Sequence, residues 1–150
     1  MKTSKCFLSM IAAVTALSPT VSTMGLQVNI SGQGSCPMFF DEMRWQHRIL
    51  LVHTDSEQES KELTEDLDNR STEISARTLL VIEANTRSAH ILNRSLLCNP
   101  SPHEVNRRLN TNKAVLIGLD GYTKERYDVV DLVRVFSDID AMPMRQSERR

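Results

Sequence analysis

The sequence predicts an α/β domain, a three-layer sandwich with elements in the order β-α-β-α-β-β-α. Three observations lead there. Short apolar runs at 49–52, 78–82 and 114–117 have the pattern of strands buried on both faces. Polar stretches that carry helix-start signals separate them. Asp120-Gly121 follows the third run closely and supplies the positive φ angles that a two-residue hairpin needs. Strands joined through helices favour parallel pairing with right-handed crossovers, and the hairpin adds an antiparallel edge.

In chain order, residues 1–23 have the layout of a secretory leader. Lys2 and Lys5 form a basic start, residues 7–17 an apolar run, and small residues near Ser22 allow cleavage. The run is too short to cross a bilayer as a stable helix, although an uncleaved N-terminal anchor is the alternative. Cys6 precedes the apolar run, the wrong place for a lipid anchor. Residues 24–42 are polar and glycine-containing and read as a flexible arm, with the domain proper at 43–148. Phe39, Phe40, Met43 and Trp45 form the main aromatic cluster, expected to pack against one side of the sheet; an exposed patch is the other reading.

His47-Arg48 leads into the first strand, and Ser56 with Glu59 makes a capping box for the helix after it. That helix has few apolar residues, Leu63 and Leu67, with Ile74 further along, and its acids read as a solvated face. Residues 85–99 are ambiguous, with Ile91, Leu92, Leu96 and Leu97 at loosely helical spacing. Ser101-Pro102-His103-Glu104 reads as a second capping box, with proline at the first helical position and a helix to about Leu109. Beyond the hairpin turn, residues 122–127 alternate as a strand with one wet face would. Asp128 is the expected N-cap of a closing helix with Leu132, Val133, Phe136, Ile139 and Met142 on one face. Pro143 places its stop near Ala141 or Met142.

A family resemblance rests on this closing unit. Ile117-Gly118-Leu119-Asp120-Gly121, then Lys124 and Arg126, then residues 139–146 (Ile-Asp-Ala-Met-Pro-Met-Arg-Gln) with Glu148, resemble the signature of the domain of unknown function 4174. The resemblance covers roughly residues 43–148. It implies a degenerate peroxiredoxin or thioredoxin fold, found in small exported bacterial proteins and in extracellular sushi-repeat proteins, with no agreed activity. Two positions depart from the usual pattern: Leu119 stands where a lysine is usual, and Thr78 follows Arg77 where an aspartate is usual. The resemblance and the element order together make the expected fold thioredoxin-like.

A chain of 150 residues suits one domain. Its 18 basic residues, less Lys2 and Lys5 of the leader, leave 16 against 19 acidic ones, a net −3. That balance gives no reason to expect nucleic acid or an anionic membrane as partner, nor a membrane span once the leader is cut. Cys36 and Cys98 remain in the mature chain, and an even pair in an oxidising compartment invites a disulfide. It would tie the N-terminal segment to the loop before the later helix and stabilise the fold by roughly 4 kcal/mol in the chain-entropy model.

No catalytic cluster, cofactor motif or metal-type spacing stands out. A thioredoxin-like enzyme keeps its attacking cysteine just after the first buried strand, at a helix N-terminus that lowers the thiol pKa. This chain has His53-Thr54-Asp55-Ser56 there, which reads as a strand end and helix cap rather than a hydrolytic or metal site. No Cys-x-x-Cys occurs, and no proline precedes the strand at Ala114. Met142-Pro143-Met144 is more simply the end of an apolar helix face than a copper(I) site. Asn29, Asn69 and Asn93 each begin an Asn-x-Ser sequon, which matters only in a eukaryotic source. Asp140, Arg145 and Gln146 bracket the last helix stop and form either a helix-end lock or an exposed recognition corner. The expected function is an exported, periplasmic or secreted, non-catalytic thioredoxin-like module of the cell envelope, binding an envelope protein or a small ligand. The alternative is a thiol-dependent oxidoreductase or peroxidase-like protein cycling Cys36 and Cys98.

Overall fold

The computed structural model describes residues 35–149. Residues 1–23, read above as a leader, most of the segment read as an arm, Cys6 and the Asn29 sequon lie outside the described residues.

The elements are β1 (Ser35–Cys36), α1 (Phe39–Met43), β2 (Arg48–His53), α2 (Glu57–Asn69), α3 (Ser71–Ala76), β3 (Leu79–Ala84), β4 (Ala89–Ile91), β5 (Asn99–Pro100), α4 (Pro102–Leu109), β6 (Ala114–Ile117), β7 (Thr123–Tyr127), α5 (Leu132–Ala141) and α6 (Pro143–Glu148). Five strands make one sheet in the order β4-β3-β2-β6-β7. The result is a mixed α/β sandwich consistent with a thioredoxin-like arrangement.

The apolar runs alternate sides, as a two-residue side-chain period requires. Leu50, Val52, Val81 and Leu116 face one core, covered by α2, α3 and α5 through Leu63, Leu67, Ile74, Val135, Phe136 and Ile139. Ile49, Leu51, Ile82 and Val115 face a second core with Phe39, Phe40, Val105 and Leu109 from α1 and α4. Two covered faces explain why these strands read as unbroken apolar runs.

One direction differs from the expectation. β2 and β3 are parallel, but β6, which follows a helix, runs antiparallel to β2. The short strand β4 is the cause. It folds back along β3, Ala84 opposite Ala89 and Ile82 opposite Ile91, and so returns the chain to the start of the sheet before α4. The residues around β4, ambiguous in sequence, therefore form an edge and a loop rather than a helix. Ile91 and Leu96 pack against one core and Leu92 against the other, while Leu97 is almost fully exposed, so the loose helical spacing there did not mark one buried helix face.

Local signals were read with mixed success. The turn after β6 spans residues 118–122 rather than two residues; Gly118 donates to the Tyr122 carbonyl, and Gly121 takes a φ of 80°. The closing helix is capped by Asp131, whose carboxylate accepts from the Val133 and Arg134 amides, and not by Asp128. α5 ends at Ala141 as expected, but Pro143 opens a further short helix, α6. Proline suits a first helical position because its missing N–H would have no partner there. Ser101 makes no side-chain cap bond; Glu104 turns instead to Arg108 at 3.0 Å. The first capping box holds on one side, Ser56 Oγ accepting from the Glu59 amide, while the Glu59 carboxylate accepts from the Asp55 amide rather than from Ser56.

Residues 35–42, read as the end of the arm, are tied into the domain by β1 and α1, and Phe39 and Phe40 are buried. Trp45 departs from that cluster: it is 63 % exposed, at φ 65°, with its amide donating to the Leu119 carbonyl.

Candidate functional site

The first strand, β2, has charged groups at both ends. Call the N-terminal end, at Arg48, the foot and the C-terminal end, at His53, the head.

At the foot, Arg48 is 1 % exposed. One guanidinium nitrogen donates to the Arg77 carbonyl at 3.0 Å and the Thr78 hydroxyl at 3.3 Å; the other meets Glu148 at 2.8 Å, from the far end of the chain. Arg77 lies over the Phe136 ring, 4.6 Å from its centre, and pairs with Asp140 at 2.6 Å. Arg145 bridges Asp140 and Glu148, at 3.3 Å to each. Gln146 donates to the Ala141 carbonyl, one of those the α5 end leaves without a helical partner. The three corner residues thus come together, and Arg48, Arg77 and Glu148 join them. Burial pushes the Asp140 carboxyl up, but Arg77 and Arg145 outweigh it and hold it below its ordinary value. Arg48 holds the Glu148 carboxyl down through its hydrogen bond. α6 contributes no buried residue and is tied to the rest of the foot by ion pairs. The sequence carried one clue to Arg48, a cation directly before an apolar run, and none to its partner 100 residues away.

At the head, the hydroxyl of Thr54 is inside, donating to Glu83 at 2.6 Å, and Ser56 Oγ caps α2. Lys113, from just before β6, reaches Asp55 at 2.8 Å and Glu59 at 2.7 Å, and His53 Nε2 lies 3.1 Å from Asp55. Lys113 holds both carboxyls below their ordinary values by hydrogen bonding. Burial pulls the Lys113 ammonium down, but Asp55 and Glu59 outweigh it and leave it raised. Where a thioredoxin-like enzyme would present a thiol, this chain has a hydroxyl cap and a clamped ammonium.

Beside that clamp opens a cleft of about 560 Å³ between α2 and the β7–α5 connection. Val52, Leu63 and Val130 form apolar parts of its lining; Glu59, Glu62, Asp66 and Asp128 are its acids. Sequence reasoning saw the α2 acids as solvated and gave Asp128 to a helix cap. Only the return of β7 to the head brings Asp128 across from α2. Among the described residues, no group of three or more His, Cys, Asp or Glu side chains is placed to hold a metal ion.

Cys36 and Cys98 form a disulfide, with Cα atoms 5.8 Å apart and a sequence separation of 62. β1 lies parallel to β5, Cys36 opposite Pro100, and Cys36 packs against the core that holds Phe39 and Phe40. The cleft opens over the other core, which contains Val52 and Leu63. The cysteines and the head of β2 are therefore separate features. No helix of the described residues is long and apolar enough to cross a membrane.

No curated protein and no solved structure matches this chain. A family model, described only as a domain of unknown function (DUF4174), matches residues 39–148. That span starts at the buried Phe39 and ends at Glu148, the partner of Arg48, and so takes in both core aromatics of α1 and all the foot residues. The chain belongs to the DUF4174 family.

Proposed function

We propose that this protein is an exported, non-catalytic binding or assembly module of the cell envelope, with the cleft at the head of β2 as its working surface. One observation carries the reading. The strand end that would need a reactive thiolate for redox chemistry instead holds Thr54, Asp55 and Ser56, each already bonded within the protein. The disulfide and the leader-like residues 1–23 both fit an oxidising compartment outside the cytoplasm.

The test compares the mature protein with its Cys36→Ser variant in insulin-disulfide reduction and peroxide consumption. Neither protein is expected to show activity. Turnover that disappears in the variant would replace this reading with a cycling Cys36–Cys98 pair. Export is checked by the mass of the protein recovered from the envelope or medium. A chain starting near Met24 supports it, and a full-length chain kept in the cytoplasm overturns it.

A further inference from the structure

The segment between β4 and β5 is fixed at two points. At one, the Asn93 side chain accepts from the Val81 amide at 2.9 Å and donates to the Leu79 carbonyl at 2.7 Å. At the other, Cys98 is bonded to Cys36. Between them, residues 94–97 form a strap with no backbone–backbone hydrogen bond among the described residues. Leu96 packs against the core that holds Phe39 and Phe40, while Ser95 and Leu97 are exposed. The strap's polar tie is Arg94, whose guanidinium lies 3.1 Å from Nε2 of His47, just before β2.

The chemistry of that contact fixes the state of the ring. A guanidinium has donors and no acceptor, so Nε2 has to accept, and an imidazole accepts only when it is neutral. The neutral ring then carries its proton on Nδ1, and the Thr78 backbone holds the ring through a further hydrogen bond. Protonation of Nε2 removes the lone pair that Arg94 uses and sets two cations against each other. The charged groups around the ring are Arg94 on the strap, Asp68 on α2 and Arg48 on the adjoining strand; α3 offers the neutral Ser71 and Ser75. Arg48 is engaged with Glu148, and Asp68 lines the cleft of about 310 Å³ that it shares with His47 without acting on the ring. Burial lowers the His47 pKa below its ordinary 6.5 and Arg94 adds to that, against the Thr78 bond, which raises it. The ring is therefore neutral at pH 7 and takes up its proton below pH 6.5.

We propose that His47 and Arg94 are an acid-released latch. The neutral ring keeps Arg94, and with it residues 94–97, beside the cleft under α2 and α3; the protonated ring lets the strap go, while Asn93 and Cys98 hold its ends. The latch belongs to the other end of β2 from Asp55 and Lys113 and does not depend on a ligand there.

The test is NMR of the mature, disulfide-bonded protein between pH 5 and 8, above the range in which the Asp140 and Glu148 carboxyls titrate. The His47 ring is expected to titrate with a midpoint below 6.5. With the same midpoint, the backbone order parameters of residues 94–97 should fall from about 0.85 to below about 0.6, those of Asn93 and Cys98 staying high. His47→Gln offers Arg94 an acceptor that does not titrate, so the order of its strap should no longer depend on pH. Arg94→Ala should leave the strap mobile at pH 8 and raise the His47 midpoint, a shift that a merely structural arginine would not cause. His90→Gln, on neighbouring β4, should change neither reading. A ring still neutral at pH 5, a strap whose order ignores the midpoint of the ring, or a pH response that survives His47→Gln would each overturn the latch.

Discussion

Arg48 and Lys113 both stand where a charged side chain meets the rim of the apolar sheet, one at the foot of β2 and the other at its head. Each contacts carboxylates from elements remote in sequence: Glu148 for Arg48, Asp55 and Glu59 for Lys113. Their surroundings differ. Arg48 is 1 % exposed and is also bonded to a backbone carbonyl and to Thr78, whereas Lys113 reaches acids that face water. A charge removed from water is best matched where it sits, and the foot gathers Arg48, Arg77 and Arg145 around Asp140 and Glu148, although the Nε atoms of Arg48 and Arg77 are buried with no partner. A charge that still touches water tolerates an incomplete match, and the head can carry surplus acid. The two ends of β2 thus differ in how much of their charge is shielded from water.

The strongest way to break that contrast is Arg48→Ala. It should cost about 3–5 kcal/mol, read as a lower denaturant midpoint, because it empties a buried site and takes from Glu148 and the Arg77 carbonyl one of their donors, leaving Glu148 with Arg145. Glu148→Ala should cost less, about 2 kcal/mol, since its own carboxylate is partly exposed. An effect of either change as small as that of a typical surface pair would mean that the buried charge at the foot does not hold the fold together.

Acid should act on the same end. Asp140 and Glu148 both titrate below their ordinary values of 3.8 and 4.5 in the folded state. The unfolded chain then binds their protons first, so the stability they provide is whole above about pH 4.5 and is lost as the pH falls through the folded values. Melting temperatures followed below pH 5 should fall less steeply in Glu148→Gln than in the wild type. Parallel curves would contradict the lock.

A gain should come from Thr78. This β-branched residue sits at φ 48°, a backbone region that Asp tolerates better, and its hydroxyl lies 3.3 Å from Arg48. Thr78→Asp should raise stability by about 1 kcal/mol by easing the backbone and giving Arg48 a second anion. Lys113→Met gives the smallest effect expected, a shift of a degree or two in melting temperature, because the acids it releases regain water. A large loss there would erase the distinction between the two ends of β2.

The two ends also differed in how far they could be read beforehand. Asp140, Arg145 and Gln146 lie within seven residues of one another around a proline, and local helix-end chemistry was enough to select them. Arg77 and Arg48 were missed because what defines them is the return of α5 to the foot, which no local pattern encodes. At the head, the Ser56 cap was legible from four residues, yet Asp128 was assigned to the wrong role. A carboxylate a few residues before a helix looks the same whether it caps or faces a cleft, and Asp131 took the cap.

By itself the sequence determined what depends on neighbours along the chain: three strands buried on both faces, the Ser56 cap, the stop before Pro143, the family signature and an even pair of cysteines. Tertiary structure alone decided the antiparallel course of β6, the partner of Arg48, the union of Cys36 with Cys98 and the meeting of α2 with Asp128 across a cleft. Side-chain period and capping act over one or two turns and leave their mark in local order. Pairing between remote segments is set by which surfaces must leave water together, and that is settled only when the whole sheet has formed.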